Sequence, residues 1–182
     1  GDVARVNAGA ISITGVIDQT SSSTNTVNVK KGLLSKKTTT VTTSGVDQNV
    51  VASTLEGNKV VLNSIGDVTI KGSNIVGERD VTLNAGGAID IGSLVAADTS
   101  SQSVAVKKSG ISLGSGLFIG VAKNSNVNTL NTTTNSGSVI GSASGDVTVD
   151  AAKALNVTGS NIIAPGTVSL AGESVAIQNA ND

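Results

Sequence analysis

The stretch Lys59–Gly92, KVVLNSIGDVTIKGSNIVGERDVTLNAGGAIDIG, places apolar residues two apart in short beats. Val60/Leu62 is followed by Val68/Ile70 and Ile75/Val76, and the beat then restarts with Val81/Leu83 and Ile89/Ile91. Val60 to Val81 and Ile70 to Ile91 are both 21 residues apart. Residues i and i+2 of an extended segment point to the same face, so each beat reads as a strand of three or four residues with one apolar face. Turn residues such as Gly66-Asp67 and Asn84 to Gly87 separate the beats.

The same beat recurs on both sides of this stretch. Val147/Val149, Leu155/Val157 and Ile162/Ile163 form a third copy, and Val168/Leu170 with Val175/Ile177 begin a fourth. Leu94/Val95 reads as the third strand of the copy that starts at Val81, and Ile11/Ile13 with Val16/Ile17 supply most of one more copy near the N-terminus. A strand this short is not stable alone, but a matching strand one repeat later stacks on it at about 4.8 Å. Repeats that bury their apolar faces only against neighbouring repeats form solenoids. The expected fold is therefore all-β: a right-handed parallel β-helix of about five coils of 21 residues.

Composition agrees with a narrow aliphatic core. Of 182 residues 38% are hydrophobic, yet there is one Phe and no Trp, Tyr, Met or Cys. Columns of Val, Ile and Leu fill a narrow section where rings overpack it. Asn63 and Asn84 share one turn position, as do Asn74 and Asn161, which predicts amide ladders or left-handed turns. No apolar run approaches the roughly 20 residues of a membrane helix. With Gly1 in first place and no signal peptide, the chain reads as a piece excised from something longer.

The beat is lost twice, from about 19 to 50 and from about 98 to 140, where Ser, Thr, Asn and Lys take over. The two excursions are copies of each other: Gly9 to Ser23, GAISITGVIDQTSSS, corresponds to Gly87 to Ser101, GAIDIGSLVAADTSS. Ile11 to Ile89 spans 78 residues and Val60 to Val147 spans 87, which makes the second excursion nine residues longer. Val27/Val29, Val104/Val106, Ile111/Leu113 and Leu117/Ile119/Val121 alternate with small or polar residues, the period of a half-buried strand. Each excursion is expected to be an antiparallel, hairpin-like pair of strands that folds back along one flank and extends one of the sheets. Residues 1–182 form a single segment in this reading.

The remaining polar residues offer little chemistry. A polysaccharide-cleaving β-helix needs clustered carboxylates, a basic residue and aromatic platforms for sugar rings. The chain has no His, two arginines (Arg5 and Arg79), and acidic residues that follow turns (Asp67, Asp146) or lie along a flank (Asp80, Asp90, Asp150). No catalytic residue, metal ligand or cofactor site is expected, and Glu78-Arg79-Asp80 reads as a solvated turn with a weak ion pair. GSGLFIG, Gly114 to Gly120, lacks the spacing of a phosphate loop and reads as a hairpin. A net charge of −1 with 14% charged residues gives no global field that would draw nucleic acid.

The lysines are the exception. Lys30, Lys31, Lys36 and Lys37 place four of twelve basic residues within eight positions, and Lys107 and Lys108 occupy the matching place in the second excursion. They either guard an exposed strand edge against aggregation or attract anionic lipid head groups. Phe118, the lone aromatic, caps an end of the apolar strip or forms a membrane-inserting tip.

The run KKGLLSKKTTT, Lys30 to Thr40, joined to GDVTIKGSNIVGERDVTLNAGGAIDI, Gly66 to Ile91, resembles the haemagglutinin repeats of filamentous haemagglutinin and of CdiA-type exoproteins. The second unit departs from the pattern, reading KKSGISLGSG from Lys107 to Gly116. The resemblance implies a secreted, cell-surface filament of a Gram-negative bacterium, exported by an outer-membrane two-partner-secretion transporter. In CdiA-like members it implies a contact-dependent growth inhibition stalk that associates with the target cell's outer membrane during toxin delivery. In haemagglutinin-like members it implies host-cell adhesion.

Overall fold

The computed structural model describes residues 2–113 and 117–180, with the side chains of 112, 113, 117 and 118 left undescribed. The chain is all-β with parallel sheets, and no helix occurs among the described residues. It divides into two compact units. The first unit comprises residues 1–18, 49–96 and 133–182, and the second residues 19–48 and 97–132.

The strands recur in a fixed order, a round being one passage of the chain through the three parallel sheets. The first round contains β1 (Val3–Ala8) and β2 (Ile11–Thr14), then the long strands β3 (Val16–Lys31) and β4 (Ser35–Val51), and then β5 (Ser53–Gly57). The second is β6 (Lys59–Ser64), β7 (Val68–Lys71) and β8 (Ser73–Gly77). The third opens with β9 (Val81–Ala85) and β10 (Ile89–Gly92), passes through β11 (Leu94–Leu113) and β12 (Leu117–Ser136), and ends with β13 (Val139–Ser142). β14 (Val147–Ala151), β15 (Ala154–Thr158) and β16 (Asn161–Ile163) make the fourth, and β17 (Val168–Ala171) with β18 (Ser174–Gln178) begin the fifth.

The first four rounds each contribute one strand to each of three sheets, and the fifth adds a strand to two of them; the orders are β1-β6-β9-β14-β17, β2-β7-β10-β15-β18 and β5-β8-β13-β16. All pairings in these sheets are parallel. The register stacks like on like: Val60 on Val81, then Val147 and Val168; Ile13 on Ile70, then Ile91 and Val157. Leu55, Ile75, Ile140 and Ile162 form the column of the third sheet. These columns meet in one cluster, in which Leu62, Leu83, Ile70, Ile91, Ile75 and Ile140 are fully buried.

Polar columns run beside the aliphatic ones. The Asn63 Nδ2 donates to Asn7 Oδ1 at 2.9 Å, and Asn84 Nδ2 donates to Asn63 Oδ1 at 3.0 Å. This is the expected amide ladder, but it lies on strands β1, β6 and β9 rather than in turns. Asn74 and Asn161 share a column interrupted by Val139, which has no amide to pass the bond on. No left-handed asparagine occurs among the described residues; Gly72 and Gly159 take that conformation instead, both at φ +54°, each opening a Gly-Ser-Asn-Ile sequence. The serine that follows completes a third column. Ser73 N–H donates to Ser138 Oγ at 3.2 Å, Ser138 N–H to Ser160 Oγ at 3.1 Å, and the buried Ser138 hydroxyl to the Gly92 carbonyl at 2.8 Å.

Two expectations are corrected by where the excursions leave. Leu94/Val95 and Val16/Ile17 do not form third strands: they begin β11 and β3, and Val16, Ile17 and Val95 are exposed. The third strands are β13 and β5, which follow the excursions. Each excursion therefore interrupts a round between its second and third sides. A short apolar pair looks the same at the start of an exposed strand as at a buried one, because only the downstream chain decides whether a neighbour covers it.

Candidate functional site

The second unit is a single sheet ordered β12-β11-β4-β3. It is separate from the three parallel sheets, so the excursions do not extend any of them; they pair with each other. β4 and β11 are antiparallel across twelve consecutive partners, from Val46 opposite Thr99 to Ser35 opposite Gly110. The β3–β4 turn is closed by the Gly32 N–H donating to the Ser35 carbonyl at 2.7 Å. At the far end of the same pair the Gln48 side chain donates to Gln19 Oε1 at 2.9 Å.

Gln48 also holds the end of the sheet that carries the carboxylates. Its N–H donates to Asp98 Oδ1 at 2.7 Å, and its Oε1 accepts the Ala97 N–H at 2.8 Å. One glutamine thereby ties both excursions together, a role with no local sequence signal.

Burial follows the expected half-buried pattern on one of the excursion strands and departs from it on others. Val104 and Val106 of β11 are half-buried, whereas every residue of β3 is exposed and Val27, Val29, Ile111, Ile119 and Val121 lie at the surface; the side chains of Leu113 and Leu117 lie outside the described residues. In β3 the alternation reflects β-propensity and cross-strand pairing of Thr, Ser and Val rather than a covered face.

The lysines converge on the end where β3 turns into β4. Lys37 lies directly opposite Lys108, while Lys107 lies opposite Thr38 and so projects from the other face. Lys30, Lys31, Lys36, Lys37 and Lys108 line an open groove of about 270 Å³. Lys123, which sequence reasoning missed, joins Lys37 and Lys108 along an adjacent groove of about 340 Å³. Its signal was its position in the period-two alternation of β12. The side chain of Phe118 and residues 114–116 of the GSGLFIG stretch lie outside the described residues.

The near-neutral whole conceals a segregation of charge. Seven of the twelve basic residues but only Asp47 and Asp98 of the thirteen acidic ones fall in the second unit, which carries +5; the first carries −6. The net charge of −1 does not disclose this, because the two lysine clusters are far apart in sequence and meet only through the β4–β11 register.

Four of the five acidic residues weighed for catalysis are occupied structurally, and the fifth, Asp150, is exposed. Asp67 Oδ1 accepts the Ala88 N–H one round later at 2.8 Å, and Asp146 Oδ1 accepts that of Thr167 at 2.7 Å. Asp80 accepts the Asp146 N–H at 3.3 Å and an ion pair from Lys59 at 3.2 Å, which replaces the pairing expected within Glu78-Arg79-Asp80. The Asp146 backbone bond first, and the Lys59 ammonium second, hold the Asp80 carboxyl below its usual range. Asp90 pairs with Lys71 at 3.3 Å. Among the described residues no group of three or more His, Cys, Asp or Glu is placed to hold a metal ion.

The Hemagglutinin repeat family matches residues 4–105. Over 155 residues, 83% of the chain, it is 36% identical to a protein named tRNA nuclease CdiA from Escherichia coli strain STEC_O31. It is 34% identical over 155 residues to the 16S rRNA endonuclease CdiA of Enterobacter cloacae, and 29% identical over its whole length to tRNA nuclease CdiA-2 of Burkholderia pseudomallei. The chain spans only 5% to 6% of the length of these relatives. No solved structure matches. The chain belongs to the hemagglutinin-repeat family, the repeat region of secreted, cell-surface exoproteins of Gram-negative bacteria of the filamentous haemagglutinin and CdiA type.

Proposed function

We propose that this chain is a non-catalytic stalk and cell-contact segment of a contact-dependent growth inhibition exoprotein, and that its contact is with the outer membrane of a target bacterium. The three parallel sheets are the sides of one right-handed β-helix running through residues 1–182, with excursions at about 19–50 and 98–140. The partner during export is a two-partner-secretion transporter of the outer membrane. The toxic activities named for the relatives belong to other parts of those long proteins, and the repeat presents a surface. Lys30, Lys31, Lys36, Lys37, Lys107, Lys108 and Phe118 supply the contact.

One observation carries this reading: the first unit is built on buried aliphatic columns, with Asp67, Asp80, Asp90 and Asp146 held in bonds, while the second offers an exposed sheet of net charge +5. The test is binding of the labelled chain to intact Gram-negative cells and to epithelial cells, with a K30S/K31S/K36S/K37S variant beside it. Binding to bacteria that falls tenfold or more in the variant is the expected result. Binding confined to epithelial cells would instead make the segment a host adhesin, and no binding to either would make it a passive spacer.

A further inference from the structure

The turn between β3 and β4 has a second property besides its lysines. Leu33 is 99% exposed and Leu34 65% exposed. Two adjacent leucines in water gain nothing from folding, and these sit between Lys30-Lys31 and Lys36-Lys37. The lysines are in a comparably poor position, since Lys37 faces Lys108 across the strands and like charges so placed repel. Among the described residues the ion pairs are Lys59–Asp80 and Lys71–Asp90, and none involves this end of the sheet.

One environment relieves both faults at once. At the boundary of a lipid layer carrying phosphates, an apolar tip enters the acyl region while flanking ammonium groups stay at the phosphate level. A nucleic acid would use the lysines but leave the leucines in water, and it favours stacking rings, of which the chain has one in all. An apolar protein groove would take the leucines and be opposed by the bracketing charge.

We infer that Leu33 and Leu34 form a membrane-inserting tip, and that the surrounding lysines dock it on a lipid surface bearing phosphate groups. The inference rests on the cell-contact reading and sharpens it, naming the ligand class and two residues beyond the lysines.

The test uses the 182-residue chain with vesicles of phosphatidylcholine alone or with one part in five of phosphatidic acid. Because the chain has no Trp, a Leu33→Trp variant reports the tip's surroundings without background. The expected result is binding to the phosphatidic acid vesicles only, with a blue shift of the indole emission from that variant. L33S/L34S should bind roughly tenfold or more weakly, and each lysine removed should cost about fivefold. Far-ultraviolet dichroism and melting confirm that each variant is folded. Emission that stays unshifted on bound vesicles, or affinity indifferent to L33S/L34S, overturns insertion. Competition by soluble tripolyphosphate that matches vesicle binding, without leucine dependence, overturns the lipid assignment in favour of a free-phosphate site. Absence of vesicle binding alongside retained binding to intact bacteria overturns the tip while the cell-contact reading stands; loss of both removes both.

Discussion

The two units of this chain reach β-structure by opposite means. In the first, short strands of three to six residues are held by aliphatic columns so completely buried that Val60, Leu62, Ile70, Leu83 and Ile91 have no exposed surface. In the second, strands of 16 to 20 residues make a sheet with no buried hydrophobic residue among the described side chains of 19–48 and 97–132. Burial at roughly 25 cal/mol per Å² sustains the former, whereas cross-strand pairs of roughly 0.2–1 kcal/mol each sustain the latter. Stability and exposure are thus placed in different units, which leaves the second free to carry residues a core would reject.

The comparison breaks first at the core. Leu83→Ala empties the centre of a column between Leu62 and Val149 and is expected to cost about 2–5 kcal/mol, read as a lowered midpoint in urea. Leu130→Ala on the exposed sheet should cost well under 1 kcal/mol by the same measurement. Equal losses would mean that burial does not distinguish the two units.

Next comes the serine column. Ser138→Ala removes the acceptor of the Ser73 N–H and the donor to the Gly92 carbonyl inside the first unit. The predicted loss is about 1–3 kcal/mol, with faster amide exchange at Ser73 than at Ile75. Ser138→Thr, which keeps the hydroxyl, should recover part of it.

Gln48→Ala tests the second unit alone. It deletes the bonds to Gln19 and Ala97, and the expectation is a loss on the order of 1 kcal/mol confined to the sheet. Hydrogen exchange should accelerate in residues 19–48 and 97–132 and stay unchanged in the parallel strands.

The smallest effect concerns acid. Asp80 is held below its ordinary value, so its stabilising bonds to the Asp146 N–H and to Lys59 are fully present above about pH 3.8 and are lost as pH falls through the lowered value. Asp80→Asn should lower the melting temperature slightly at neutral pH and flatten its decline in that acid range, so that the two profiles converge at the acid end. A variant whose difference from the parent instead grew as the pH fell would contradict the assignment.

How much of this was legible follows from the same contrast. The columns could be read because like residues recur at fixed spacing and parallel register converts that spacing directly into contact: Val60 and Val81 had to meet if either was buried. The pairing of Lys37 with Lys108 could not, because an antiparallel register is set by the turn and by the opposite strand, neither of which leaves a periodic trace. Leu94 and Val95 misled for a related reason, since they keep the apolar spacing of the third side and begin an exposed strand instead. The Leu33-Leu34 pair was in plain view between two lysine pairs, but an apolar dipeptide reads as strand until its exposure is known.

The division of labour itself is tested by removing the sheet. Asp18 can be joined to Asn49, and Ala96 to Thr133, each through an Asn-Gly hairpin turn, deleting the whole second unit. The shortened chain is then measured for its melting transition and for binding to intact Gram-negative cells. The account predicts one cooperative transition from the aliphatic columns, with binding lost. A shortened chain that no longer folds, or that binds cells as well as the full chain does, would contradict it.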